Sequence, residues 1–350
     1  MDQARLATIL AGLERTRVLV IGDYFLDKYL DLDRRLAEIS LETSMEAHQV
    51  VQVRTSPGAA GTVVSNLRAL KVGVLALGVV GDDGEGYELL RGLRERGVDV
   101  SPLIQAQERF TPTYTKPMMR EADGTVHELS RLDTKNRTPL PSALEAAVIA
   151  RLRELLPMVQ GVIIADQVPE RNCGIITDRV REVLGELAGQ HPQVVMAVDS
   201  RLRIGEYRQI ILKPNDREAV RALNPDYQGP ISLQQAEAAG LQLSERAGRP
   251  AFVTVGERGI LLCAKGWCQR VPAAPVTGEM DIVGAGDSTM AGITSGLCSG
   301  AGLAEAALLG NLVASVTIQC IGTTGTASQE QVLAALGRWG AAHGQGGAGW

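Results

Sequence analysis

The stretch Asp281-Ile-Val-Gly-Ala-Gly-Asp-Ser288 decides the fold and the chemistry that we assign to this chain. Glycines directly before a helix, here predicted over residues 288–298, let several backbone N–H groups face one point. The positive end of the helix dipole lies at that point, so the arrangement holds a phosphate or a developing anion. A carboxylate there can take a proton from an alcohol. The stretch therefore predicts phosphoryl transfer to a hydroxyl, with Asp287 as base and an anion-binding turn formed by Gly284, Ala285 and Gly286.

The same residues have a simpler interpretation. Asp287 or Ser288 could cap the first turn of an ordinary helix without taking part in any reaction. The motif on its own does not separate the two, so the rest of the chain has to decide.

Apolar strands alternate with amphipathic helices along most of the remaining sequence. Predicted strands cover residues 17–21, 74–80, 161–165, 194–199, 209–212, 251–255 and 260–264, and predicted helices cover residues 1–16, 62–70, 87–96, 142–156, 172–188, 232–247, 288–298 and 303–320. This order predicts an α/β fold with a doubly wound, mainly parallel sheet flanked by helices. We predict one domain over residues 1–340 and a flexible tail over residues 341–350.

Two polar stretches interrupt this alternation, at about residues 28–54 and 107–133. In the second, Asp123-Gly124 separates two alternating runs at residues 114–120 and 125–131, which is a hairpin signal. The two stretches predict a small β-sheet lid outside the main sheet. An exposed lid of this kind also predicts a homodimer, because paired lids would cover each other's edges.

Composition excludes several classes of protein. The formal net charge of −5 gives no basic surplus for nucleic-acid binding. No apolar run approaches the roughly 20 residues that cross a bilayer. The first residues lack the pattern of a signal peptide, so we expect a cytoplasmic protein without a membrane partner. Five cysteines without paired spacing predict reduced thiols rather than a disulfide framework or a zinc site.

Further motifs occur in a fixed order around the first one. They are Ser56-Pro-Gly-Ala-Ala-Gly61, Gly81-Asp-Asp-Gly-Glu-Gly86, Asn215-Asp-Arg-Glu218 and Val253-Thr-Val-Gly-Glu-Arg-Gly259. With Gly284–Asp287 they resemble the ribokinase-like (PfkB) carbohydrate kinases over nearly the whole chain. The resemblance implies ATP as phosphoryl donor, Mg²⁺ as cofactor and a small sugar or sugar phosphate as acceptor.

The resemblance also implies roles for individual residues. Asp27, Gly58, Ala59 and Thr62 would bind the sugar, where a carboxylate accepts hydrogen bonds from two hydroxyls. ATP would lie beside Asn215, Glu218, Thr254, Gly256 and Gly259, with Glu218 reaching Mg²⁺ through water. Asp281 is a candidate for a monovalent cation such as K⁺. The structural alternatives are a turn aspartate at Asp27, a capping box at Asn215-x-x-Glu218 and a tight turn at Gly256–Gly259.

Within the family the sequence is most similar to D-glycero-β-D-manno-heptose-7-phosphate kinases. The similarity rests on residues 18–29, 38–44 and 131–133. Three positions depart from the family pattern: Ala59 replaces a glycine, Thr62 replaces an asparagine and Val283 stands where threonine is frequent. The first two put the identity of the sugar in doubt, and the third puts the cation site in doubt.

Two other functions stay open at this point. One is a nucleoside kinase of the same fold, and the other is a ligand-binding relative without catalytic activity. The similarity around Asp27 and Arg131 favours a sugar or sugar-phosphate kinase over the nucleoside kinase. Lys116 and Arg120 in the predicted hairpin could meet a substrate phosphate, or could belong to a solvated strand edge.

Overall fold

A computed structural model describes residues 1–322 and 324–344 of the chain. It contains seventeen strands within these residues, which are β1 Arg17–Gly22, β2 Tyr24–Asp33, β3 Glu38–Ile39, β4 Glu46–Ala47, β5 Val50–Ala59, β6 Gly73–Leu77, β7 Val79–Gly81, β8 Ile104–Ala106, β9 Thr113–Arg120, β10 Val126–Glu128, β11 Leu132–Thr134, β12 Gly161–Asp166, β13 Val195–Ser200, β14 Ile211–Leu212, β15 Ala251–Thr254, β16 Ile260–Ala264 and β17 Trp267–Val271.

Ten α-helices connect and cover these strands in the described part of the chain. They are α1 Gln3–Leu13, α2 Ala60–Ala69, α3 Gly84–Glu95, α4 Ser142–Leu155, α5 Asp178–Gln190, α6 Asp216–Leu223, α7 Leu233–Ala247, α8 Ala285–Cys298, α9 Leu303–Thr317 and α10 Gln329–His343. None of these described helices is long and apolar enough to cross a membrane.

The main sheet has eight strands in the order β17-β16-β15-β14-β13-β12-β1-β6. The six strands β6, β1, β12, β13, β14 and β15 run parallel, and β16 and β17 are antiparallel additions at one edge. The predicted α/β, mainly parallel sheet is therefore confirmed. The antiparallel strand β17 was not predicted.

Two hydrophobic cores cover the two faces of this sheet. In β1, Val18 and Val20 point into the core formed with α1, α2 and α8–α10, whereas Leu19 and Ile21 point into the core formed with α4–α7. Apolar side chains on both faces explain why the parallel strands are nearly continuous apolar runs in the sequence.

The lid is a second sheet in the order β10-β9-β2-β5, with β11 also paired to β9. The predicted hairpin is present, since β9 and β10 pair antiparallel across Asp123-Gly124. The lid begins earlier than the predicted residue 28. Strand β2 follows β1 directly and already pairs with β5 at Tyr24.

Other predicted boundaries shift for identifiable reasons. The predicted strand at residues 74–80 is divided into β6 and β7, because β7 pairs with β8 and not with β1. The predicted helix at residues 172–188 begins only at Asp178, because Asn172 has a left-handed φ of 62° and Thr177 caps the first turn. Of the predicted flexible tail, residues 341–343 belong to α10, and residues 345–350 lie outside the described residues.

Helix α8 is held in place by unusually close packing on α9. A Cβ atom at Gly292 would lie only 2.9 Å from the Cα atom of Gly310, and one at Gly310 would lie 3.0 Å from the carbonyl oxygen of Thr289. The two backbones therefore approach each other through glycine. Because Asp287 lies one turn from this contact, the packing of α8 on α9 fixes the position of its backbone.

The junction between β5 and α2 contains a strained residue. Ala59 has φ 52° and ψ −117°, a combination that glycine adopts far more easily than alanine. The family resemblance predicts glycine at this position. The strained backbone at Ala59 gives a physical reason for that prediction.

We expect Ala59→Gly to raise the free energy of unfolding by about 1 kcal/mol, because relief of the strain exceeds the entropy cost of glycine. Chemical denaturation measures the change. The control is Ala146→Gly within α4, where the backbone is helical and the same replacement should lower stability by about 1 kcal/mol. A loss of stability at both positions would contradict the strain at Ala59.

Candidate active site

The carboxyl ends of the parallel strands deliver charged residues to one edge of the main sheet. Asp199 lies near the end of β13, Lys213 directly follows β14, and Thr254 ends β15. The amino end of α8 faces the same edge, since Gly286 is close to the side chains of Lys213 and Asp199. Open α/β sheets bind their ligands at this edge.

Asp287 does not cap its helix. The N-cap of α8 is Gly284, which has a left-handed φ of 80° and supplies no side chain, so the capping interpretation of Asp287 and Ser288 is wrong. The Ser288 hydroxyl donates back to the carbonyl oxygen of Gly284 at 2.9 Å. Among the described residues the Asp287 carboxylate has no hydrogen-bond donor. It is therefore available to a ligand.

The predicted anion-binding turn is modified by one hydrogen bond. The N–H group of Ala285 donates to the carbonyl oxygen of Ile282 at 3.1 Å, so it is already used. The N–H groups of Gly284, Gly286 and Asp287 have no acceptor within the described part of the chain. These three groups, at the positive end of α8, are the donors that the turn offers to an anion.

The charge environment of Asp287 suits a base. Burial and the neighbouring carboxylate of Asp199 raise the pKa of Asp287 to about 7. Lys213 and Arg201 act in the opposite direction and lower this pKa, while Asp27 raises it. The residue remains partly exposed, so a proton can reach the carboxylate. A general base works best when its pKa lies near the working pH.

Asp27 and Gly58 lie close together on strands β2 and β5 of the lid, just outside the lid segments predicted from the sequence. Gly58 is paired with Phe25 across β2 and β5, and a Cβ atom at residue 58 would overlap the Oδ2 atom of Asp27. Glycine at residue 58 is thus required for the Asp27 carboxylate to lie there. The other oxygen, Oδ1, is 2.9 Å from the ammonium nitrogen of Lys116. Lys116 is therefore mostly buried in an ion pair on an interior strand of the lid and is not on a solvated strand edge.

Ala59 and Thr62 both lie at the start of helix α2. Ala59 is the N-cap of α2 and contributes its backbone there, with no capping side chain. Thr62 is buried in the first turn of α2, and its methyl group is 3.3 Å from the place where a Cβ atom of Gly284 would stand. Thr62 thus packs against the turn at Gly284, and a direct sugar contact through its hydroxyl stays a prediction.

Asn215 and Glu218 form the capping box that the sequence left as an alternative. Asn215 Oδ1 accepts from the N–H of Glu218 and Glu218 Oε2 accepts from the N–H of Asn215, both at 2.8 Å. Burial and the charge of Asp199 raise the pKa of Glu218 to about 7, although Lys213 opposes them. Glu218 therefore caps α6 and still belongs to the charged cluster around Asp287.

The predicted nucleotide loop lies next to Asn215. Thr254 and Asn215 form a parallel β-bridge, so the motifs at residues 215–218 and 253–259 are brought together. Gly256 has φ 62° and open space around its Cα atom, whereas a Cβ atom at Gly259 would overlap the carbonyl oxygen of Val271. The 3₁₀ turn Gly256–Arg258 between them is the tight turn named as the alternative. Gly256 leaves room for a ligand, and Gly259 is needed for packing.

The Asp281 carboxylate holds two loops together. It accepts hydrogen bonds from the N–H groups of Val283 at 3.0 Å and Gly322 at 3.3 Å. Both of its oxygens are thus used by backbone donors. A monovalent cation at Asp281 stays a prediction.

Asp199 and Lys213 were missed by the motif analysis, although they are central to the site. The Lys213 ammonium is 2.8 Å from Asp199 Oδ2, and both residues are nearly buried. Burial works to lower the pKa of Lys213, but the charges of Asp199 and Glu218 outweigh it and the pKa is raised. Lys213 is therefore a cation at neutral pH. Both residues could have been predicted from the sequence, because each is a charged residue at the carboxyl end of a buried strand, where such sheets bind ligands.

Comparison of the sequence with known proteins identifies its family. The sequence profile of the pfkB family carbohydrate kinases matches residues 15–330. The chain is 29% identical over 339 residues to the Bifunctional protein HldE of Trichlorobacter lovleyi, and the match covers 96% of this chain and 66% of that protein. The chain thus spans about two thirds of the length of this relative.

Solved structures show the same fold. Arabidopsis thaliana ribokinase complexed with ribose and ATP superposes with a TM-score of 0.66 at 18% identity, covering 92% of this chain and 98% of that one. Escherichia coli phosphofructokinase-2 in complex with substrates and products gives a TM-score of 0.66 at 17% identity, covering 93% and 99%. The family predicted from the motifs is confirmed: the chain belongs to the pfkB family of carbohydrate kinases.

Proposed function

We propose that this kinase transfers the γ-phosphoryl group of MgATP to a hydroxyl of a sugar phosphate, with Asp287 as the general base. One observation carries the proposal. The Asp287 carboxylate has no hydrogen-bond partner among the described residues and lies beside the unused N–H groups at the start of α8. It is also near enough to Asp27, the proposed sugar-binding carboxylate, for the charge of Asp27 to raise its pKa. A base, an anion hole and an acceptor-binding carboxylate thus meet in one cleft.

Each part of the chain has a distinct role in this mechanism. Asp27 accepts hydrogen bonds from two acceptor hydroxyls and orients a third towards Asp287. Asp287 removes the proton from that hydroxyl as its oxygen attacks phosphorus. The N–H groups of Gly284, Gly286 and Asp287 stabilise the charge on the migrating group. Gly256 and Thr254, beside Asn215, leave space for the nucleotide.

Glu218 is the residue that would hold Mg²⁺, through a water molecule. Mg²⁺ commonly binds through one or two carboxylates together with substrate phosphates, so a single carboxylate is enough for this role. A Mg²⁺ ion held there would supply positive charge to neutralise the phosphates. Glu218 lies in the charged cluster at the strand ends, but one of its oxygens is used by the Asn215 N–H group, which leaves the other for a metal-bound water.

Replacing Asp287 with asparagine tests the base. Turnover should fall by roughly 10²–10⁴ because the acid–base group is lost. The wild-type kcat/KM for the acceptor should fall as pH drops below about 7, where Asp287 becomes protonated.

Stability should move in the opposite direction to activity in this variant. The pKa of Asp287 is raised from 3.8 to about 7 on folding, so its ionisation destabilises the folded state increasingly as pH rises from about 4 to 7. Asp287→Asn cannot ionise and should unfold at the same or a higher temperature at pH 8. Normal turnover in a folded Asp287→Asn protein would remove Asp287 from the mechanism.

The lid carries cations that suit a phosphorylated acceptor. Tyr114 is paired with Asp27 across β2 and β9, and the charged groups of Arg131 and Lys135 lie 4.5 Å and 5.8 Å from the centre of its ring. Arg131 is paired with Asp133 at 2.7 Å, whereas Lys135 has no acidic partner among the described residues. An acceptor phosphate beside Tyr114 would provide one. The heptose-kinase similarity makes heptose 7-phosphate the first acceptor to test.

Lys135→Ala should raise KM for a sugar phosphate about tenfold or more, in line with about 1.5–3 kcal/mol for a hydrogen bond to a charged group. A screen over heptose 7-phosphate, fructose phosphates, ribose and adenosine identifies the acceptor first. The control is Lys265→Ala, at the turn between β16 and β17. Equal effects of Lys135→Ala on phosphorylated and unphosphorylated acceptors would contradict a phosphate contact, and adenosine as the best acceptor would favour the nucleoside-kinase alternative.

The lid also supports the proposed homodimer. Its segment between β2 and β5, together with the start of β5, exposes seven apolar side chains, which are Leu36, Ile39, Leu41, Met45, Val50, Val51 and Val53. Strand β5 is an edge of the lid sheet, so its unpaired backbone groups lie beside these side chains. A second copy of the lid would cover both. The cytoplasmic location stays a prediction, which the use of ATP supports.

Val53→Glu should convert the dimer to a monomer, because a carboxylate would be buried at the interface. Light scattering of the purified protein measures the mass in solution. Met158→Glu is the matched control, since Met158 is an equally exposed apolar residue outside the lid and its replacement should leave the dimer intact. A monomeric wild-type protein would contradict the proposed interface.

A further inference from the structure

Asp199 and Lys213 connect two neighbouring strands at the centre of the charged cluster. Strands β13 and β14 pair Val198 with Leu212, and the N–H group of Lys213 donates to the carbonyl oxygen of Val198 at 2.9 Å. This register sets the two side chains beside each other, with the ammonium nitrogen 2.8 Å from Asp199 Oδ2. Lys213 is only 3% exposed, so its charge is almost fully removed from bulk water.

The ammonium group lies against the amino end of α8. A Cβ atom at Gly286 would be 3.5 Å from Lys213 Nζ and 3.9 Å from Asp199 Oδ2. Lys213 therefore approaches the backbone N–H groups next to Asp287 without a side chain between them. The ammonium has three N–H donors, and among the described residues Asp199 is its acidic partner, so donor capacity is left for a ligand.

We propose that Lys213 is a catalytic residue that binds the phosphoryl group in transfer, and that Asp199 is the positioning residue that holds Lys213 against helix α8. The proposal rests on the proposed kinase function and adds a cation to an anion hole otherwise built from backbone donors. The transferred group carries negative charge on its equatorial oxygens, and a fixed cation in a water-poor cleft stabilises that charge more than one in water would.

A purely structural ion pair is the competing explanation. An ion pair between two strands could hold them in register without contacting any ligand. Removing Lys213 alone would then leave Asp199 unpaired and destabilise the protein, whereas removing both charges together would restore stability and activity. The two explanations therefore predict different results for the doubly neutral protein.

The pH dependence reports how Lys213 and Asp199 act on Asp287, whereas the nucleotide affinities below report whether Lys213 contacts the transferred group. The charged groups that act on Asp287 are Asp199, Asp27, Lys213 and Arg201, of which the two acids raise its pKa and the two bases lower it. Lys213→Met should move the acid limb of kcat/KM to higher pH, because a cation is lost. Asp199→Asn should move it to lower pH, because an anion is lost.

The experiment compares the full-length wild type with Lys213→Met, Asp199→Asn and the double variant. In Lys213→Met, we expect kcat to fall by roughly 10²–10³ with acceptor KM within threefold, as for loss of one oxyanion-stabilising donor. The double variant should recover the unfolding temperature but not the turnover. Recovery of both would overturn the proposal.

Binding of nucleotides separates this proposal from the kinase function itself. Titration calorimetry should show that Lys213→Met weakens MgATP at least tenfold and leaves MgADP within twofold, because only ATP carries the group that Lys213 contacts. Equal effects on both nucleotides would overturn the proposal even if turnover fell. If the wild type phosphorylated no acceptor, the proposed function would fail, and the ATP and ADP affinities would still decide the role of Lys213.

Discussion

The architecture of this enzyme depends on one electrostatic constraint: the Asp287 carboxylate is partly buried, and no group among the described residues donates a hydrogen bond to it. Such a group costs free energy when it ionises, and burial together with Asp199 raises its pKa to about 7. Lys213 and Arg201 limit that rise. The balance keeps a carboxylate available as a base near neutral pH, where an exposed aspartate would be a much weaker one.

Glycines leave room at several contacts around the site. Gly58 leaves room for the Asp27 carboxylate on the lid, and Gly292 with Gly310 allows α8 to pack directly on α9, since a Cβ atom at any of these three positions would come too close to its neighbour. A Cβ atom at Gly286 would lie at ordinary contact distance from the Lys213 ammonium, 3.5 Å away. The tight glycines therefore act by making space for other groups.

The fold was predictable because apolar strands and amphipathic helices alternate regularly along the sequence. Continuous apolar strands such as β1 and β12 bury both faces, and that pattern is visible in the sequence. The turn at residues 284–287 was predictable because its glycine and aspartate pattern occurs together with four other motifs in the same order as in the family. The role of Ala285 was not, because the hydrogen bond from its N–H group to Ile282 depends on the path of the preceding loop.

Lys213 and Asp199 show why the rest of the site could not be read from motifs. They are fourteen residues apart in sequence, and only the parallel register of β13 and β14 brings their charges to 2.8 Å. Likewise, the capping box at Asn215 and Glu218 looks local in sequence, yet the structure sets Glu218 in the same charged cluster. Short motifs predict turns and caps, whereas charge clusters depend on which strands become neighbours.

A crystal structure with a sugar phosphate and a non-hydrolysable ATP analogue would test the central claim most directly. The account predicts one Asp287 carboxylate oxygen within about 2.6–3.2 Å of an acceptor hydroxyl oxygen, with that hydroxyl in line with the γ-phosphorus atom. An acceptor that binds in the cleft with its hydroxyls directed away from Asp287, or a triphosphate that ends far from the start of α8, would contradict it.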